Sequence, residues 1–146
     1  MKNTPNLEEL YAYLFSRFGI ERILFDNFQL YLGSKGKIYL GPKKAVDLPK
    51  VTTIGISIAR MDNSIKPTTN MFQLFGNEIS KNFIELTKEQ AIDYVNGSDL
   101  ILNNSGLEDG YILLKYKNKS LGCGLLKNNS VKNMLPKAKR MKLNYL

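Results

Sequence analysis

The chain has 146 residues and is 43% hydrophobic, which suits one domain or two small subdomains on a shared core and excludes a disordered chain. It has no histidine and one cysteine, which removes histidine-based catalytic triads, His-bearing zinc sites and an internal disulfide. The formal charge of +8 is unevenly placed: nine of the 21 basic residues and none of the 13 acidic ones fall between Gly110 and Leu146. That leaves twelve basic residues against all 13 acidic ones before Gly110, and a division this sharp predicts one positive face.

No apolar run approaches the ~20 residues that cross a bilayer, and MKNTPNLEEL lacks the apolar stretch of a secretory signal. A cytoplasmic protein with no membrane contact is expected. Catalysis is left to scattered carboxylates, lysines and tyrosines, so an enzyme acting alone is not.

Residues 4–18 read as an amphipathic helix. Leu7, Leu10, Tyr11, Leu14, Phe15 and Phe18 share one helical face, Thr4 or Asn6 suits the cap, and Gly19 suits the position past the end. A hairpin follows, with strands at Phe28–Leu32 and Lys37–Leu40 around the turn Gly33–Gly36. The stretch GPKKAVDLPK reads as a connection, which divides the chain into an N-terminal α/β module, 1–48, and a second domain, 49–146. Alternation over 51–60 puts Ile54, Ile56 and Ile58 on the inner face of a strand. After the turn Asp62–Ser64, Pro67 opens a short helix capped by Thr68, Thr69 or Asn70 and ended by Gly76. Lys66 and the free N–H groups there suit a phosphate, though the spacing favours the threonines as ordinary caps.

Phe83–Leu86 is a short strand. Thr87 and Gln90 form a capping box that opens a helix ending at Gly97, and Leu100–Leu102 is a further strand. The tail reads as three strands. The first has Ile112, Leu114 and Tyr116 on one face and Tyr111, Leu113 and Lys115 on the other; Asn118 and Lys119 make the turn. In the second, Leu121, Cys123 and Leu125 point inward and Gly122 and Gly124 lie opposite. The third runs from Val131 to Met134 after an Asn128–Asn129 turn and ends at Pro136.

Cys123, alternating with leucines, reads as a core residue rather than a nucleophile. Gly122 and Gly124 match no phosphate-loop pattern; glycine within a strand marks a close backbone approach by another strand or by a ligand. The tail's lysines are interleaved with Tyr111, Tyr116 and Tyr145, which supplies phosphate-neutralising cations and stacking surfaces for a nucleic acid, RNA ahead of DNA.

The run from Gly110 to Arg140 then carries a family likeness. Gly110-Tyr111, Leu121-Gly122-x-Gly124, Lys132-Asn133, Leu135-Pro136-Lys137 and Arg140 stand in the order and spacing of the RNA-binding domain of 5-methylcytosine RNA methyltransferases of the Nol/Nop/Sun family. Upstream, KPTTNMFQLFG and NFIELTKEQAIDYVNGSDL resemble the same domain, so the likeness covers roughly residues 51–140. It implies an α+β fold: a PUA-like mixed β-barrel with flanking helices, preceded by a small N-terminal α/β module like those that often precede PUA domains. It also implies binding of structured RNA, rRNA or tRNA, in modification or ribosome biogenesis. The family's S-adenosylmethionine-binding Rossmann core and its two loop cysteines have no counterpart in these residues, so neither methyltransferase activity nor a cofactor is expected.

The residues expected at RNA are Lys127, Lys132, Lys137, Lys139 and Arg140 on phosphates, Asn133 as a polar contact, and Gly122 and Gly124 as points of close approach. Lys66, Thr68 and Thr69 form a second site. No catalytic or metal-binding residue is expected. The alternative reading is a protein-interaction subunit that docks on a separate RNA methyltransferase or a pre-ribosomal particle.

Overall fold

The computed structural model describes residues 6–43 and 55–140. Thr4, Ile54, the division expected at 48/49, and Tyr145 lie outside them. Helix α1 spans Leu7–Phe18. Asn6 caps it, its side-chain oxygen accepting from the Glu8 N–H at 2.9 Å, and Gly19 at φ +73° takes the left-handed turn that ends it. Leu10, Leu14 and Phe18 are buried as the spacing requires, but Phe15 is 56% exposed.

Four antiparallel strands make the first sheet in the order β1-β2-β3-β4: Phe28–Leu32, Lys37–Pro42, Ile56–Met61 and Ile65–Pro67. The β1–β2 hairpin is the one read from sequence. β2, which precedes the 48/49 position, pairs with β3, which follows it. Alternation fails in β3, where Ile56 is 45% exposed while Ile58 and Ala59 are both buried. The pairing passes from Ile38↔Ala59 to Tyr39↔Ser57, leaving Ile58 unmatched; the extra residue makes a bulge that breaks the period-two pattern. Pro67, expected to open the helix, instead ends the edge strand Ile65–Pro67, where proline is tolerated.

Helix α2 spans Thr69–Phe75 with Thr68 as its cap. Gly76 does not end it in a left-handed turn: its φ is −57°, and the chain runs on through a 3-10 turn, Gly76–Glu78. Its missing side chain instead makes room for the Ser120 hydroxyl.

The second sheet has the order β5-β7-β8-β9-β6, from Phe83–Glu85, Leu100–Ile101, Gly110–Tyr116, Lys119–Lys127 and Ser130–Asn133 in chain order. β5 runs parallel to β7 and the other pairs are antiparallel. Helix α3, Lys88–Val95, lies between β5 and β6 in sequence and opens with the expected Thr87–Gln90 capping box. Both hairpin turns are two residues at positive φ, Lys117–Asn118 and Asn128–Asn129. The first is one residue earlier than expected, and Lys119 already belongs to β8.

This mixed sheet separates two cores. On one side Leu113 and Cys123 join α1, α2 and the first sheet, with Phe18, Met71 and Phe72 fully buried. On the other side Ile112, Leu114, Leu121 and Leu126 meet Tyr94 and Val95 of α3. The two faces of β7 are as read from sequence. β8 departs: Leu121 leaves the Cys123 face because it is the unmatched residue of a bulge between Leu114↔Gly122 and Lys115↔Ser120. The whole is an α+β, PUA-like arrangement of curled sheets and three helices.

Candidate nucleic-acid interface

Past β9 the chain forms a strap across the second core. Leu135 is buried beneath Gly122, and after Pro136 the residues Lys137–Lys139 make a 3-10 turn. Asn133 fastens the start of the strap. Its Nδ2 donates to the Tyr94 carbonyl at 2.7 Å and the Ser98 carbonyl at 2.9 Å, and its Oδ1 accepts from the Leu135 N–H at 2.9 Å. Lys139 fastens the far end, its Nζ donating to Asn70 Oδ1 and Gln73 Oε1, both at 2.9 Å. The Arg140 guanidinium lies over Gly97, just past the carboxyl end of α3, where the helix dipole favours a cation. The strap thus runs from α3 to α2, with Lys137 and Arg140 exposed on it.

The remaining expected residues divide. Lys132 is exposed on β9, opposite Leu125. Lys127 is exposed at the other end of β8, beside a turn whose Asn128 N–H bonds Asp109 at 3.1 Å. Asn133 is an internal clamp, since both of its amide hydrogens are used. Gly122 and Gly124 are buried, and the space above them is filled from within: a Cβ would stand 2.6 Å from the Tyr94 hydroxyl at Gly122 and 2.4 Å from a Val131 methyl at Gly124. The close approach these glycines permit is that of α3 and β9, not of a ligand.

Lys66, Thr68 and Thr69 do not assemble into an anion site. The Thr68 hydroxyl donates to the Ser57 carbonyl at 2.7 Å and accepts from the Met71 N–H at 3.3 Å. Thr69 is buried, and its Oγ1 has no partner among the described residues. Lys66 pairs across the strand with Arg60, near Asp62. The Asp62 carboxyl is held below the usual range, first by the Asn63 N–H and also by Lys66 and Arg60.

Among the described residues the ion pairs are Arg22–Glu8 and Arg60–Asp62, both outside the basic segment. Three carboxylates from before Gly110 do reach that segment, but they bond its backbone: Glu85 accepts from the Asn118 N–H at 3.2 Å, Asp109 from Asn128, and Asp99 from Asn133 at 2.7 Å. They fix the turns and β9, while Lys117, Lys119, Lys127, Lys132 and Lys137 stay exposed.

Cys123 is buried, as expected, and burial raises its thiol well above the ordinary range. Its carbonyl accepts the Tyr94 hydroxyl at 2.7 Å. Neither group is poised as a nucleophile. The described residues hold no cluster of three metal-binding side chains and no helix long and apolar enough to cross a membrane.

Sequence reasoning missed Asn70 and Gln73, which hold the strap through Lys139, and Arg17, which ties the first helix to the second sheet. Arg17 donates from Nε to the Tyr111 carbonyl at 3.0 Å and from Nη2 to the Glu108 carbonyl at 2.9 Å, pinning α1 to β7. These contacts join residues more than sixty positions apart, and no local pattern announces them.

Two curled sheets, an α3 held by its capping box and a basic strap across the second core are consistent with a PUA-like fold. Residues 81–141 match the family model described as the methyltransferase RsmF PUA domain, which upholds the family likeness read from the tail. Over 138 residues the chain is 28% identical to a ribosomal RNA small subunit methyltransferase F of Psychromonas ingrahamii. That alignment takes in 89% of this chain and 28% of the relative, so the chain spans little more than a quarter of that protein's length.

Proposed function

We propose that this chain is an RNA-binding module acting in rRNA modification or ribosome biogenesis, and that it grips structured RNA with the strap. Lys132, Lys137, Lys139 and Arg140 contact phosphates, and Lys127 extends the footprint along β8. The observation that carries the reading is the strap itself. Its fastening uses the Asn133 amide and the Lys139 ammonium on neutral partners, which leaves Lys137 and Arg140 exposed and all of its cations without an ion pair among the described residues. The match to a PUA domain from an rRNA methyltransferase supports the same reading. The module has no catalysis and no cofactor of its own.

Binding to a structured rRNA fragment is measured against salt. Four phosphate contacts give a slope of log K on log[salt] of about −2.8, taking roughly −0.7 per phosphate. The paired change Lys137→Glu with Arg140→Glu weakens binding to every RNA tried and flattens the slope. A slope near zero, or unchanged affinity in that variant, removes the reading.

One observation favours protein contact as a second reading. A cleft of about 590 Å³ is lined by Phe28, Leu40, Pro42, Ile56, Leu74 and Phe75 beside the first sheet, with Phe28, Ile56 and Leu74 part-exposed. A partner methyltransferase or pre-ribosomal particle that stays bound after nuclease treatment, and is lost on Leu74→Glu, supports it.

A further inference from the structure

The strap leaves a second basic and aromatic surface unused, at the opposite edge of the five-stranded sheet. Phe83 stands on the edge strand β5 and is 36% exposed, with the Lys115 Nζ 5.4 Å from its ring centre. Two residues away, Lys81 places its Nζ 6.0 Å from the ring centre of the exposed Phe15 on α1. Asn82 fixes this geometry. It sits at φ +56°, its amide donates to the Arg17 carbonyl, and its own carbonyl accepts the Leu113 N–H at 3.0 Å. Both aromatics are therefore held by α1 and β7 rather than by a loop.

Neither ring is needed in a core, and neither lysine has an ion pair among the described residues. Arg22 over Tyr11 offers a contrast: its guanidinium is 4.3 Å from the ring centre and is already paired with Glu8. The separations at Phe15 and Phe83 lie near the outer limit of cation–π attraction, about 6 Å. Either lysine can leave its ring for a phosphate at small cost, uncovering a face on which a base can stack. Glu85, the residue paired with Lys115, accepts the Asn118 N–H through one oxygen and makes no ion pair with Lys115.

This surface also connects to the strap. Lys139 bonds Gln73, Gln73 Nε2 donates to the Leu121 carbonyl at 3.0 Å, and the next residue back, Ser120, pairs with Lys115. We infer that Phe15 and Phe83, with Lys81 and Lys115, form a stacking platform for unpaired nucleotides that extend from the structured RNA held by the strap. The inference rests on the proposed RNA-binding function and adds the class of RNA recognised, a helix with a single-stranded extension.

The test uses the full chain and two labelled RNAs: a blunt hairpin, and the same hairpin with five adenosines added at the 5′ or the 3′ end. With one extension the affinity rises about tenfold per base stacked. In the Phe15→Ala, Phe83→Leu double variant that gain disappears while affinity for the blunt hairpin is unchanged. Phe15→Ala alone, on the exposed side of α1, loses part of the gain and keeps the test open should Phe83→Leu unfold the protein. No gain from either extension, or a gain that survives the double variant, overturns the platform. Binding of the extended RNA without the blunt one removes the strap reading and keeps the platform. Binding of neither removes both.

Discussion

Replacing Asn133 by alanine separates two roles for a residue that the sequence places in an RNA-contact motif. The structure uses its side chain in three hydrogen bonds, at 2.7, 2.9 and 2.9 Å, joining β9 to the end of α3 and to the strap. At about 0.5–1.5 kcal/mol for each bond, the loss comes to about 2–4 kcal/mol. With a urea dependence of about 2 kcal/mol per molar, the unfolding midpoint falls by roughly 1–2 M. Asn133→Asp is no rescue, because an oxygen then faces the Tyr94 and Ser98 carbonyls where two N–H donors stood. Far-UV circular dichroism in urea reads the effect, and RNA affinity is measured at low urea where both variants remain folded. A midpoint within about 0.3 M of the parent, well short of the expected fall, combined with weakened RNA binding, would refute the clamp and return Asn133 to the interface.

Gly122→Ala drives a Cβ against the Tyr94 hydroxyl and a Leu135 methyl, and is expected to cost about 1–3 kcal/mol by overpacking, read as a lower thermal midpoint. Gly97→Ala adds a side chain at φ +99° where the Arg140 guanidinium lies. It should lose about 1–2 kcal/mol and weaken RNA binding through the displaced arginine, and unchanged affinity would place Arg140 outside the interface. Burial raises the Cys123 thiol and the Tyr13 and Tyr94 hydroxyls above their ordinary values. These groups are neutral when protonated, so the native state keeps protons that the unfolded chain releases. Their stabilisation is full below the unfolded values, about 8.5 for Cys and about 10 for Tyr. It is lost as pH rises beyond them, at up to about 1.4 kcal/mol per pH unit for each group. Thermal midpoints should hold to about pH 8 and fall above about pH 9, and a midpoint that is flat to pH 11 would contradict this.

Elements with local signals were legible in the sequence. The cap of α1, the capping box of α3, the β1–β2 hairpin and the Asn128–Asn129 turn each depend on a few adjacent residues, and each stands where those residues put it. Bulges were not legible. Nothing local marks Ile58 or Leu121 as unmatched, because that is decided by the register of a partner strand. The strap's lysines could be found by counting charge, but not the division of labour among them. Asn133 and Lys132 are neighbours in one motif, yet one faces the α3 core and the other solvent, which follows from their register against Gly124 and Leu125. Gly122 and Gly124 signalled a close approach correctly; only the packing shows that the visitor is Tyr94 on one and Val131 on the other.

The two cores differ in where their residues come from. Every buried member of the core beneath α3 lies within residues 81–141, the segment that matches the PUA family. Among the described residues, the opposite core takes its buried members Leu113 and Cys123 from that segment and its other buried members from residues 10–79. The family segment is therefore finished on one side and a socket on the other. Its inheritance carries with it an obligation to supply a plug for Leu113 and Cys123, and in this chain α1, α2 and the first sheet are that plug. A different plug on the same socket would leave α3, Asn133 and the core they close untouched. Lys139 would lose its anchors on α2, and Phe15 would go with α1, so the plug has a hand in what the RNA meets.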